Sequence, residues 1–155
     1  MIDSKSVKNS DLPAEKGYDA GKKVSGIKLH IATEIHGWPF AIHVTTADVT
    51  DRNGAKEMVA INIDSFSRIQ KILVDGGYSG EKFATSIREM TGAIVEVSKR
   101  RTPHKFEPEY LRWIVERSFG WLDKCRRLAK NYERHLNTYK NMVAVAFIAV
   151  LLRHF

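Results

Sequence analysis

Three carboxylates stand in settings that single them out. Asp75 ends the apolar run Lys71-Ile72-Leu73-Val74 and is followed at once by Gly76-Gly77-Tyr78. A buried strand that carries an acid to its C-terminal end and then turns sharply is how open α/β sheets present reactive groups in a crevice. Glu116 lies in Trp113-Ile114-Val115-Glu116-Arg117-Ser118-Phe119-Gly120-Trp121, a helical pattern, and Asp3 opens the segment Met1-Ile2-Asp3-Ser4-Lys5-Ser6-Val7-Lys8. Three acids so far apart in sequence, if brought together, form a carboxylate cluster for a hard metal ion. In a basic protein that chemistry points to a nucleic-acid backbone.

The basicity is pronounced. Among 155 residues the formal net charge is +7, a surplus that favours a polyanionic partner, although a merely basic soluble protein remains the alternative at this point. Apolar residues make up 43% of the chain, enough for one domain with a core of its own. Cys125 is the single cysteine, which excludes an internal disulfide and a cysteine-rich zinc site, and it reads as a small core residue. The longest apolar stretch, Met142 to Leu152, is too short to span a bilayer. No secretory signal opens the chain, so a reducing, cytoplasmic setting is expected.

The elements that must position the acids follow from periodicity. Residues 10 to 25 lack it and read as a loop. Residues 27 to 33 and 40 to 45 alternate apolar with polar, with His36-Gly37 between them, which predicts a hairpin. Thr50-Asp51 precedes a helix over residues 55 to 63, and Asp48 and Asp51 read as capping or turn-orienting acids rather than site residues. Asp64 reads as solvated. A strand over residues 69 to 74 delivers Asp75. Ser79 caps a helix to about Met90, stopped by Thr91-Gly92, and residues 93 to 97 form a short strand. Pro108 opens a helix to about Cys125, and a last helix covers residues 138 to 153. The order predicts a mixed α/β fold.

A wheel of the helix that runs to Cys125 puts Leu111, Ile114, Val115, Ser118, Trp121, Leu122 and Cys125 on the core side. Glu116 falls nearly opposite, beside Arg112, Phe119, Gly120, Asp123 and Arg127. One reading is a solvated glutamate paired with Arg112 four residues earlier. The other is a face on which something docks, since an aromatic and a glycine share it. Lys28, Lys99, Arg100, Arg101, Arg112, Arg126, Arg127 and Lys130 are candidates for phosphate contact, which gives affinity without sequence readout. Each is also, singly, a plausible solvated charge. The six histidines show no metal-ligand spacing, and neither His30 nor His43 reads as a zinc ligand.

Together these segments resemble a family. Asp75-Gly76-Gly77-Tyr78, the stretch from Trp113 to Leu122, Arg126-Arg127-Leu128 and Tyr132-Glu133-Arg134 are similar to the catalytic domain of DDE transposases of bacterial insertion sequences, in particular the insertion-sequence-five group. Asp3 to Lys8 resembles that group's first catalytic block, and residues 26 to 30 and 46 to 52 its intervening blocks. The resemblance spans essentially the whole chain. It implies an RNase H-like mixed sheet flanked by helices, with Asp3, Asp75 and Glu116 as the catalytic and metal-holding triad. It further implies two Mg²⁺ ions, with Mn²⁺ an alternative, nicking at the ends of an element, and attack of the freed 3′-OH on target DNA. Double-stranded DNA and further copies of the chain are the implied partners.

Two departures accompany the resemblance. Arg112 stands four residues before Glu116 as the family pattern has it, but Tyr110 and Lys124 are each displaced by one position, and Asp123 occupies the usual lysine place. Only Met1 and Ile2 precede Asp3, whereas an average strand takes roughly five or six residues. The first strand is therefore expected to be largely missing, and the N-terminal DNA-binding region such transposases carry to be absent, so that the chain is N-terminally truncated and its activity impaired. A non-catalytic DNA-binding remnant and a nuclease of the same fold without strand transfer are the alternatives.

Overall fold

A computed structural model describes residues 1–98 and 110–153, without the side chains of residues 110–112. Six strands and five helices alternate along it: β1 Ile2–Lys8, β2 Gly17–Asp19, β3 Val24–Thr33, β4 Pro39–Thr46, α1 Asp51–Ile61, α2 Ile63–Phe66, β5 Lys71–Val74, α3 Glu81–Thr91, β6 Ile94–Val97, α4 Tyr110–Asp123 and α5 Leu136–Leu152. The mixed α/β class is as expected.

β3 is the spine. β1 pairs antiparallel along one edge of it, from Ile2 opposite Ala32 to Lys8 opposite Gly26. β4 and the short β2 share its other edge, both antiparallel. β5 and β6 form a separate parallel pair, and β5 lies alongside β1. Helices cover both faces. Ile72, Val74, Ala32 and Ile2 are buried against Met58 of α1 and Phe83 of α3. On the other face Ile27, Leu29, Ile31 and Val7 are buried against Val115 and Leu122 of α4 and Val143 of α5.

This arrangement corrects the expectation for the first strand. β1 is seven residues long; Asp3 stands near its start and the strand runs on beyond it instead of ending there. The strand was hidden because polar residues take covered positions on both its faces: Ser4 is buried and Lys5 half-buried, so the apolar alternation that marks a strand is missing. The stretch read as a loop likewise holds β2 and the beginning of β3. Two helix ends also differ, and one cap is as expected. The residue before α3 is Gly80, at φ 129°, and not Ser79, because the chain needs a backbone conformation there that only glycine takes easily. Thr50 caps α1, its side chain accepting from Asn53 N. α4 ends at Asp123, so Cys125 follows the helix, half-buried against the core under α4 and α5. Pro108 lies outside the described residues.

Candidate functional site

Directly opposed residues of an antiparallel ladder share a face. Asp3, Lys5 and Val7 are paired with Ile31, Leu29 and Ile27, all three of which are covered by α4 and α5. Asp3 is therefore on the α4 side of the sheet, half-buried. Its Oδ1 accepts from the Ser4 amide at 2.7 Å. Burial pushes its carboxyl up to about 6, the Ser4 bond opposes this, and the negative charge of Asp75 adds to it.

Asp75 reaches the same face from β5. Ile72 and Val74 are buried toward α1 and α3, and Asp75 continues the extended chain at φ −81°, ψ 176°, so alternation turns it to the opposite face, that of Asp3. Its Oδ1 accepts from Gly77 N at 2.9 Å, capping a single 3-10 turn over Gly76–Tyr78. Asp3 and Asp75 thus stand close enough to feel each other's charge, and among the described residues neither has an ion-pair partner.

Glu116 is exposed on α4, whose inner side carries Ile114, Val115, Ser118 and Leu122. The Lys5 ammonium bonds the Asp123 carboxylate and lies 6.0 Å from the Phe119 ring centre. Glu116, Phe119 and Asp123, spaced three and four residues apart, form one helical stripe, and that stripe runs along β1. Ser118, bonded to Gly37 O in the β3–β4 turn, sets the N-terminal part of the stripe toward the start of β1, where Asp3 is. No three His, Cys, Asp or Glu side chains among the described residues stand together as a metal-binding group. Asp3 and Asp75 form a pair, with Glu116 on the helix above them and not gathered in.

The pair has the chemistry of a site for a hard divalent ion. Mg²⁺ is generally held by one or two carboxylates plus oxygens of a phosphate substrate rather than by a closed protein cage. A cation between Asp3 and Asp75 would cancel the repulsion that raises the Asp3 carboxyl.

The expected phosphate contacts divide. Lys28 is not one of them: its side chain is only 5% exposed, with its ammonium 2.9 Å from Asp51 and 3.4 Å from Asp19, and it donates to Val49 O at 2.7 Å. It was misread because a lysine in an alternating strand ordinarily faces water. Arg126, Arg127 and Lys130 are exposed, with Arg127 bonded to Glu133 Oε1 at 2.7 Å through Nη2. They sit where Asn131 N donates to Lys8 O and Ser10 N to Asn131 O, at the far end of β1 from Asp3, roughly 20 Å along the strand. Lys99, Arg100 and Arg101, and the Arg112 side chain, lie outside the described residues.

Sequence reasoning missed the polar layer behind Asp3. On the α1 side of β1 and β3, the Ser6 hydroxyl donates to Asp19 at 2.7 Å, and His30 Nε2 is 3.1 Å from Thr45 Oγ1. Burial, with His43 beside it, pushes the His30 imidazole down to about 3. Asp51 is part of this layer, paired with Lys28 rather than acting as a cap. Gly54 is required above it, since a Cβ there would come within 2.1 Å of His30 Nε2. The one available signal was the even spacing of Ser4, Ser6, Lys28 and His30 on paired strands.

A family model described as the Transposase DDE domain matches residues 1–152. The chain belongs to that family. A curated relative from Burkholderia cepacia, described as a candidate transposase for insertion sequence element IS402, is 30% identical over 121 residues. That alignment covers 74% of this chain and 57% of the relative, so the chain spans little more than half the length of that DDE-family protein. No solved structure matches. Among the described residues no helix is long and apolar enough to cross a membrane.

Proposed function

We propose that the chain supplies the catalytic carboxylates of an insertion-sequence transposase, on an RNase H-like sheet, and acts on double-stranded DNA at the ends of its element and at a target. The observation that carries this reading is the Asp3–Asp75 pair: two acids from separate strands on one sheet face, without an internal cation among the described residues, one held up to about 6 by burial and by the other's charge.

In this reading Asp3 and Asp75 hold the metal, Mg²⁺ or Mn²⁺, and Glu116 completes the set from α4. Two ions so held supply activation of the attacking oxygen and stabilisation of the leaving one. Asp75 is oriented for this by Gly77 N, and Asp3 by Ser4 N, each of which occupies one carboxylate oxygen. In the first step a water oxygen bonds to phosphorus as the bond to the 3′ oxygen breaks, leaving a 3′-OH and a 5′-phosphate. The freed 3′-OH then displaces a target phosphodiester in the same way. Arg126, Arg127 and Lys130, with Lys99, Arg100, Arg101 and Arg112, contact DNA phosphates. Multiple copies of the chain bring two element ends together, in the cytoplasm.

The second reading, a DNA-binding remnant without catalysis, is favoured by one observation: Glu116 is not gathered with the two aspartates. Cleavage of a plasmid bearing the element ends, with Mg²⁺ or Mn²⁺, separates them. The catalytic reading expects metal-dependent nicking that falls on the order of a thousandfold or more in Asp3→Asn, Asp75→Asn and Glu116→Gln alike, since residues that act as a unit fail together. DNA binding without metal-dependent cleavage in the wild type overturns it in favour of the remnant.

A further inference from the structure

The turn that presents Asp75 is built from two glycines, and besides the backbone bonds from Tyr78 N to Asp75 O and from Ser79 N to Gly76 O, each 3.1 Å, little in its own sequence fixes it. A Cβ at Gly76 would meet nothing within 4 Å, and Gly77, whose amide holds the Asp75 carboxylate, has the same backbone freedom. One end of the turn is fixed, because Tyr78 is 1% exposed and its ring lies 5.7 Å from that of Phe83. The peptide that leads into Tyr78 is also gripped from outside. Arg52, in the first turn of α1, donates from Nε to Gly77 O at 3.0 Å. The peptide unit on one side of Gly77 is thus bonded to the Asp75 carboxylate and that on the other to Arg52.

Arg52 is itself anchored. Its neighbour Asp51 is tied to the buried Lys28 at 2.9 Å, and Thr50 caps the helix start by accepting from Asn53 N at 3.3 Å. The polar layer under β3 therefore sets the position of α1's first turn, and that turn sets the position of the Asp75 loop. We propose that Arg52 is a positioning residue: by clamping Gly77 O it holds the Gly77 amide against Asp75 and so orients this carboxylate for its metal. The inference rests on the reading of Asp3 and Asp75 as metal ligands, and adds to it the residue that prepares one of them.

The test uses the full chain with Mn²⁺ alone as the probe, its free concentration read by electron paramagnetic resonance. Exchange of the Gly77 amide hydrogen, followed without metal, gives a second readout. Wild type should bind Mn²⁺ and Asp75→Asn should lose it. Arg52→Ala should weaken binding about tenfold, the scale on which groups that orient metal ligands act, and should speed Gly77 exchange. Arg52→Lys, which keeps one donor able to reach Gly77 O, should fall between the two. Arg68→Ala removes an exposed arginine that does not touch the turn and should stay close to wild type. Wild-type affinity in Arg52→Ala, with Asp75→Asn inactive in binding, overturns the clamp and leaves the metal reading standing. A loss in Arg68→Ala as large as in Arg52→Ala also overturns it, as does a lysine variant as weak as alanine. A wild type that takes up no Mn²⁺ overturns the metal reading, and the clamp's role in metal binding with it.

Discussion

Two acidic clusters lie back to back across β1, and Asp3 on one side shifts in the opposite direction from Asp19 and Asp51 on the other. On the α1 side burial raises Asp19, but hydrogen bonds from Ser6 and the Lys22 amide and the charge of Lys28 outweigh it and bring it down to about 2. Asp51 is lowered in the same way, burial being overcome by the adjacent Lys28 ammonium. On the α4 side burial wins, and Asp3 rises to about 6 with Asp75 adding to it. The difference is one buried ammonium. Where a buried ammonium is at hand the cluster is a structural tie; among the described residues Asp3 and Asp75 have no ion-pair partner.

The sharpest way to break the comparison is to remove the internal cation. Lys28→Met should strand Asp19 and Asp51 without their partner and cost about 3 to 5 kcal/mol, the usual penalty for breaking a buried pair from one side. Urea unfolding measures it, and a loss under about 1 kcal/mol would show that the two clusters do not differ as described.

The opposite change on the opposite face should stabilise. The folded-state pKa of Asp3 is raised, so its ionised form costs stability above that pKa, and the cost disappears as pH falls below the unfolded value. Asp3→Asn should therefore gain about 2 kcal/mol at pH 7 and nothing near pH 3. His30 runs the other way: its folded pKa is lowered to about 3, so stability is complete above the unfolded value near 6.5 and drains away as pH falls toward 3. In the wild type the relief of Asp3 partly offsets the His30 loss between about pH 6 and pH 4. Acid unfolding of Asp3→Asn should accordingly be steeper than wild type across that window, and equal slopes would contradict the assignment of the two shifts.

The smallest effect concerns the surface. Arg126→Ala and Lys130→Ala, far along β1 from the acids, should each weaken DNA binding without changing sequence preference and lower the salt slope by about one. Lys28→Met, although it removes the same charge, should leave that slope unchanged, because its ammonium is enclosed.

The legible parts of the fold were those whose burial is apolar. The β3–β4 hairpin, β5 with its Gly-Gly turn, and α3 with Gly92 after it all follow the periodicities of packed hydrocarbon. The wheel also placed Glu116 on the outer side of α4, where it is. What stayed hidden was polar burial. Ser4 and Lys28 carry residue types that mark surface in any pattern rule, and only the pairing of β1 with β3 across some twenty intervening residues reveals them as interior. Phe119 was misplaced for a related reason: the wheel set it outward, but Lys5 covers it and leaves it 8% exposed. The pairing of Asp3 with Asp75 was not derivable from spacing at all, since it depends on which edge of β1 meets β5.

Asn131 closes the structure on its own beginning. Its side-chain amide donates to Asn9 Oδ1 at 3.0 Å, its backbone joins Lys8 and Ser10, and Glu133 N in turn bonds its side-chain oxygen at 2.9 Å. In the order of synthesis, Asp3 leaves the ribosome long before Asn131. The strand that bears it can pair with β3 early, but its far end stays untied until the segment leading into α5 has emerged. At roughly 5 to 20 residues per second that delay lasts several seconds. The far end of β1 is therefore left untied until α4 and the stretch after it have been made.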